Sequence, residues 1–475
     1  MGQISEHTDL IVLGSGAAGS SGWSQAIKMG KRIIVFERAV LGGECPTFAC
    51  VPSKALLHCA DVYATMLTAR RFGIDLGSVS VNYPRVKERK DEVVGRTGAA
   101  QGDRPYRDAG VNLVRAEARF VSPWEVEADG LRYTADRFLI ATGSTTRIPT
   151  TPGLAEVGFL TFKDAIDLTR LPESVLILGG GPVGCEFTQL LCTFGVRVVL
   201  VDHNEHLLSR EDPEVGEEVA RQFDERGVRV LTRTTVEGFE RAGGRKRATI
   251  ERDGRRDTFA VEEILVATGK QPVTALGLKT AGVAYDEAKG ILVDGTLRTT
   301  NPAIYAAGDC GGPYRLTHVA SYQGRLAIQN AFSDEQRSAD YRAIPRCVFT
   351  SPEVAAVGLT ERQAWKEMSV IGVGRATIAA LDRASTVEQF GGFVKVLTDP
   401  TGRLIGASIV APRAGELIHE LGLAIALEAT AGQVASVIHA FPTFSEAVQT
   451  ACANVEFPAG AAVIPTWPAK SGQPI

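Results

Sequence analysis

Apolar and polar positions change rhythm along the chain in a way that marks its organisation. A short apolar run, Leu10–Leu13, gives way to a glycine turn and a helical stretch, then to a second apolar run that stops at Glu37. Short continuous apolar runs bounded by turn residues predict strands buried on both faces, so DLIVLGSGAAGSSGWSQAIKMGKRIIVFER reads strand, turn, helix, strand. The same rhythm recurs in SVLILGGGPVGCEFTQLLCTFGVRVVLVDH, whose second run stops at Asp202. Between them, ALLHCADVYATML repeats its apolar positions with helical period, and Pro52 suits the first turn of that helix. Cys50 is therefore expected at a helix N-terminus. The chain ends in a stretch rich in Pro, Ala and Gly, read as an extended tail over residues 461–475.

Both turns carry glycines at the spacing that a dinucleotide requires. Gly14, Gly16 and Gly19 form the first set, and Gly179, Gly181 and Gly184 the second. Such glycines allow a tight turn, backbone approach to a pyrophosphate, and close packing of helix on strand. The helix N-terminus then faces the phosphates, and the acid ending the second strand, Glu37 or Asp202, meets a ribose hydroxyl. Two sites imply two dinucleotides in one chain, and hence electron transfer between them. Asp202 would repel a 2′-phosphate, and neither His203 nor Arg210 in the following stretch outweighs it, so NADH is expected over NADPH.

Length and composition narrow the class further. The chain has 475 residues, room for two to four domains, with 44% hydrophobic and 22% charged residues, as in globular proteins. A net charge of −4 gives no reason to expect nucleic acid or an anionic membrane as partner. No apolar run approaches the ~18 residues of a membrane span, and the N-terminus lacks the regions of a signal peptide. A cytoplasmic protein is expected.

Eight cysteines are too few for a disulfide scaffold. Six are scattered, most of them read as core filler: Cys59, Cys185, Cys192, Cys310, Cys347 and Cys452. Cys45 and Cys50 form a tight pair in GGECPTFACVPSK. A zinc site would need a second pair, and His58 and Cys59 are adjacent rather than on one helical face. A static disulfide is out of place in a reducing compartment. A redox couple fits best, with the helix dipole and Lys54 favouring thiolate at Cys50.

With these motifs in order, the chain resembles the FAD-dependent pyridine nucleotide–disulfide oxidoreductases, the family of dihydrolipoamide dehydrogenase, glutathione reductase and mercuric reductase. The resemblance runs over roughly residues 8–455 and rests on GSGAAG, GGECPTFACVPSK, ATGS at 141–144, GGGPVGCE, ATGK at 267–270 and YAAGDC at 305–310. REDPEVGEEV and LTHVASYQGR look most like mercuric reductases. The resemblance implies an α/β fold with two Rossmann-like nucleotide-binding domains and a C-terminal α+β dimerisation domain. FAD would occupy residues 1–149 and 273–344, NAD(P)H residues 150–272, and the dimerisation domain residues 345–460.

By the same resemblance, Gly43, Ala118, Thr142, Gly143 and Asp309 join Gly14, Gly16, Gly19, Glu37 and Lys54 around FAD. Gly269 joins Gly179, Gly181, Gly184 and Asp202 around the nicotinamide nucleotide. Electrons would pass from NADH to FAD to the Cys45–Cys50 disulfide and on to a small-molecule acceptor. Cys50 would face the flavin, Cys45 would attack the acceptor, and Lys54 with Glu186 would match the family's ion pair beside the flavin. A homodimer is implied, with each dimerisation domain completing the partner's site. No resident metal is expected.

One departure bears on the acceptor. Disulfide reductases of the family place a histidine before the proline of this C-terminal motif, oriented by a glutamate five residues on. In IHAFPTFSEAV the glutamate is present as Glu446, but Phe441 stands where the histidine belongs. Phenylalanine neither accepts nor returns a proton, and His439, two residues earlier, is not expected to replace it. Candidate acceptors are a small disulfide, a thiol-bound metal ion or a quinone-like oxidant. A mercuric reductase core fits Phe-Pro here, yet Thr443 stands where those enzymes have tyrosine, the tail has no cysteine pair, and no metal-binding module is expected before the FAD strand. A 2-ketopropyl-coenzyme M carboxylase-like enzyme shares the phenylalanine but departs at Lys54 and Glu186. In a further alternative, a flavin transhydrogenase or diaphorase, the disulfide is vestigial.

Overall fold

A computed structural model of the chain describes residues 4–97 and 101–458; the tail expected over 461–475 lies outside them. The first sheet has seven strands and a parallel core. Ile4–Leu13 lies between Ile33–Phe36 and Leu131–Ile140, with Asn112–Val114 outside the former and Ile304–Ala306 also parallel to the latter. The helices Ala17–Lys28 and Thr317–Phe332 cover one face, and residues 116–128 with 276–291 pack on the other, so the central strands are buried on both faces. Leu10, Ile11, Val12 and all of Ile33–Phe36 are buried, which explains runs that are apolar throughout rather than alternating.

The second unit repeats the plan with four parallel strands, in the order Arg229–Leu231, Arg197–Val201, Ser174–Leu178, Glu263–Val266. A three-stranded antiparallel sheet spanning 234–261 flanks it. Chain passes between the first two units through an antiparallel pair, Ser144–Thr146 with Lys270–Pro272. The third unit is a five-stranded antiparallel sheet, covered by the helices Ala414–Ala426 and Glu446–Ala453.

The two glycine turns are near copies. Gly14 has φ +104° and a Cβ there would stand 2.4 Å from the Ala141 carbonyl; Gly179 has φ +105° and a Cβ would stand 2.5 Å from that of Ala267. Any side chain would both strain the backbone and push the crossing strand away. Each turn thus packs against the Ala-Thr-Gly segment that closes its own unit, which is why the ATG motifs occur twice.

Candidate active site

A cavity of about 920 Å³ runs between the first two units and reaches the third. Gly14, Gly16, Glu37, Gly43, Ala118, Thr142, Gly143 and Asp309 line it, together with Cys45, Cys50, Lys54 and Glu186. Gly19 lies beneath the turn, where a Cβ would meet the Gly14 carbonyl. Gly179, Gly181, Gly184, Asp202 and Gly269 build the second turn and do not line this cavity. Phe441 and Glu446 also lie away from it, on the dimerisation unit.

The two acids that end the second strands are used alike. Glu37 accepts from the Ser15 amide at 2.9 Å and the Ser15 hydroxyl at 2.7 Å, and from the Ala39 amide at 2.7 Å. Asp202 accepts from the Gly180 amide at 2.5 Å and twice from Asn204 at 2.7 Å. Each carboxylate is pinned to its own glycine turn, so its charge sits where a ribose would arrive. His203 is 3.5 Å from Asp202, whereas Arg210 lies within electrostatic reach of Arg315. On the other side, Asp309 accepts from Ser144 at 2.7 Å. Gly43 comes so close to Gly16 that a Cβ on it would stand 2.7 Å from the Gly16 Cα. The first turn, Glu37 and Asp309 form a cradle that fits FAD, with bare backbone where a pyrophosphate must lie.

Cys50 opens the helix Cys50–Thr68 and Cys45 sits in the short turn of helix Glu44–Thr47. Both are thiols in the structure. A hydrogen bond from the Cys45 thiol stabilises charge on Cys50 against burial, aided by Thr317 and Lys54, and lowers the Cys50 pKa to about 6. The Cys45 thiol is held well above its ordinary value, because it donates to Cys50 and is itself buried. The pair is therefore asymmetric, with the charge on Cys50.

Beside the pair, Lys54 Nζ contacts both oxygens of Glu186, at 2.9 and 2.7 Å. Glu186 is buried and also accepts from the Phe349 amide at 3.2 Å, and Lys54 lies 4.7 Å over the Phe349 ring. A lysine so held keeps a positive charge near both Cys50 and the flavin cradle.

Several residues here escape a sequence reading. Thr317, whose Oγ1 is 3.5 Å from Cys50 Sγ, begins the helix Thr317–Phe332, 267 positions away. Cys347, one of the scattered cysteines, lines the cavity, its thiol pushed up to about 12 by burial and by Glu353. Glu44, Lys163 and Lys270 also meet at the cavity wall.

The dimerisation unit shows what Phe441 changes. Phe441 is 71% exposed, and Leu423, Leu427, Val437 and Ile438 are exposed apolar residues of the same unit. Glu446, with no imidazole at 441 to orient, accepts from the Thr443 amide at 2.7 Å. His439 has both ring nitrogens engaged at 2.9 Å, one by Glu420 and one by the Val437 carbonyl.

Comparisons with known proteins agree with this anatomy. Residues 8–324 match the family model described as pyridine nucleotide-disulphide oxidoreductase, and residues 344–452 match its dimerisation domain. A mercuric reductase of Bacillus cereus is 32% identical over 445 residues, spanning 93% of this chain and 70% of that protein. A dihydrolipoyl dehydrogenase of Chlamydia pneumoniae is 34% identical, spanning 93% and 96%. The copper(II) complex of RclA, an HOCl-induced flavoprotein disulfide reductase of Escherichia coli, superposes with a TM-score of 0.84 at 25% identity, covering 94% and 99%. No helix among the described residues is long and apolar enough to cross a membrane. With two nucleotide-binding units, a paired-cysteine centre and a dimerisation domain, the chain belongs to the pyridine nucleotide-disulphide oxidoreductases and is a homodimeric flavoprotein enzyme of that family.

Proposed function

We propose that the protein oxidises NADH and passes the two electrons through FAD and the Cys45–Cys50 disulfide to a thiol-bound metal ion. The observation that carries this reading is the combination of an asymmetric cysteine pair with a C-terminal motif whose Phe441 offers no proton relay. Dithiol–disulfide exchange needs a group to take and return the proton of the interchange thiol. Losing such a positioned acid–base costs about a hundred- to ten-thousand-fold. A soft metal ion asks mainly for thiolate ligands.

When bound, FAD supplies hydride acceptance from the nicotinamide and two-electron delivery to the disulfide. The chain's part follows from its charges. Opening the Cys45–Cys50 bond with two electrons and one proton leaves a thiolate on Cys50 and a thiol on Cys45. Lys54 and the Thr317 hydroxyl favour the former, and the latter keeps its proton until an acceptor's metal displaces it. Cys45 thus meets the acceptor and Cys50 remains beside the flavin. NADH is favoured because the Asp202 carboxylate stands where a 2′-phosphate would enter.

The test is NADH consumption with Hg(II) and Cu(II) presented as cysteine complexes, against lipoamide, glutathione disulfide and quinones. Turnover confined to the metal complexes and abolished by Cys45→Ser supports the reading. Equal quinone turnover in wild type and Cys45→Ser would instead make the protein a diaphorase.

A further inference from the structure

Cys50 and Cys45 are held very differently. Cys50 belongs to a 19-residue helix, while Cys45 lies in a four-residue turn, Glu44–Thr47. The side chain before Cys45 reaches across to the nucleotide-binding unit. Glu44 takes Lys270 on one carboxylate oxygen at 2.5 Å and Lys163 on the other at 2.6 Å. Lys270 is the first residue of the return strand Lys270–Pro272, and Lys163 lies in the helix Phe162–Ala165. Lys163 also sits 5.4 Å over the ring of Phe48, so it grips the redox turn twice.

The clamp is partly shielded from water: the side chains of Glu44 and Lys270 are 28% and 23% exposed. Burial alone would raise the Glu44 carboxyl, and the two ammonium groups outweigh it and hold the group below its ordinary value. The Glu44 carbonyl also accepts from the amides of Phe48 and Ala49, at 2.7 and 2.9 Å. When the disulfide opens, the covalent tie between Cys45 and the helix is lost, and the Glu44 side chain still ties the turn to a separate unit.

We propose that Glu44 is a positioning residue for Cys45, clamping the redox turn to Lys163 and Lys270 so that the reduced thiol stays in place beside Cys50. The proposal rests on the reading of Cys45 as the thiol that meets the acceptor. Through-space charge makes a different prediction from positioning. If Glu44 acted only by its charge, Glu44→Gln would lower the Cys50 pKa and Lys163→Met would raise it. If it acts by holding Cys45, either change loosens the turn, Cys50 loses its donor, and both variants raise that pKa.

The test uses the FAD-loaded dimer reduced by two electrons, wild type and both variants, following the thiolate–flavin charge-transfer band against pH. The band's midpoint is expected to rise in both variants, more in Glu44→Gln. Acceptor-linked reoxidation should slow about tenfold or more in Glu44→Gln, with flavin reduction by NADH within about twofold of wild type. The double variant should be no slower than Glu44→Gln alone. Midpoints that move in opposite directions, or that do not move, would overturn the proposal while leaving the function reading intact. Wild-type enzyme that takes up no second electron pair would overturn both.

Discussion

Cys50 Sγ and Thr317 Oγ1 lie 3.5 Å apart, joining the redox helix to the start of the helix Thr317–Phe332. The contact puts a hydroxyl donor beside the sulfur that carries negative charge. Replacing that donor by Val keeps the shape and removes the hydrogen bond. Thr317→Val is expected to raise the Cys50 pKa, so the charge-transfer band of two-electron-reduced enzyme should titrate away at higher pH than in wild type. A pH titration of the long-wavelength absorbance reads this directly.

In wild type the same band has a predictable pH dependence. The Cys50 pKa is lowered to about 6, so the thiolate is populated above that pH and is lost as pH falls through it. The band should be full at pH 8 and fade below about pH 6. Cys50→Ser should abolish it, whereas Cys45→Ala should retain a band in enzyme as isolated, with a raised midpoint, because the Cys45 donor is gone.

Lys54 and Glu186 should be costly to separate and cheap to remove together. Glu186 is buried, and Lys54→Met leaves its charge without a cation, with the Phe349 amide alone as partner. With Lys54 about one-third exposed, solvent reduces the penalty, and a loss of about 1–3 kcal/mol is expected in denaturant unfolding. Adding Glu186→Gln to Lys54→Met should recover most of it, while flavin reduction remains impaired in both.

Phe441→His restores an imidazole to the position where the family's disulfide reductases have one. Glu446 now bonds the Thr443 amide and must turn to orient the ring, so recovery is expected to be partial. Lipoamide or glutathione disulfide turnover should rise by roughly tenfold or more, with metal-ion turnover little changed. Steady-state rates with each acceptor decide it.

Much of this was legible in the chain, and the limits have a physical pattern. Runs such as Leu10–Leu13 and Ile33–Phe36 announce parallel strands because both faces are buried, and paired glycines announce the turns because only bare backbone fits beneath the crossing strand. Cys45, Cys50 and Lys54 are visible because they fall within ten residues of one another. Thr317, Lys163 and Lys270 are not, because what brings them to the cysteines is the packing of the first two units. Nothing local separates Cys347 from the buried cysteines Cys185 and Cys452. Glu44 is adjacent to Cys45 in sequence, yet its role depends on two lysines more than a hundred residues away.

The central claim is that Cys45 and Cys50 are a working redox couple, and an anaerobic NADH titration of the purified flavoprotein tests it most directly. The account predicts uptake of four electrons per subunit, with a long-wavelength thiolate–flavin band appearing at the two-electron stage. Uptake of only two electrons, with simple bleaching of the flavin and no such band, would contradict it.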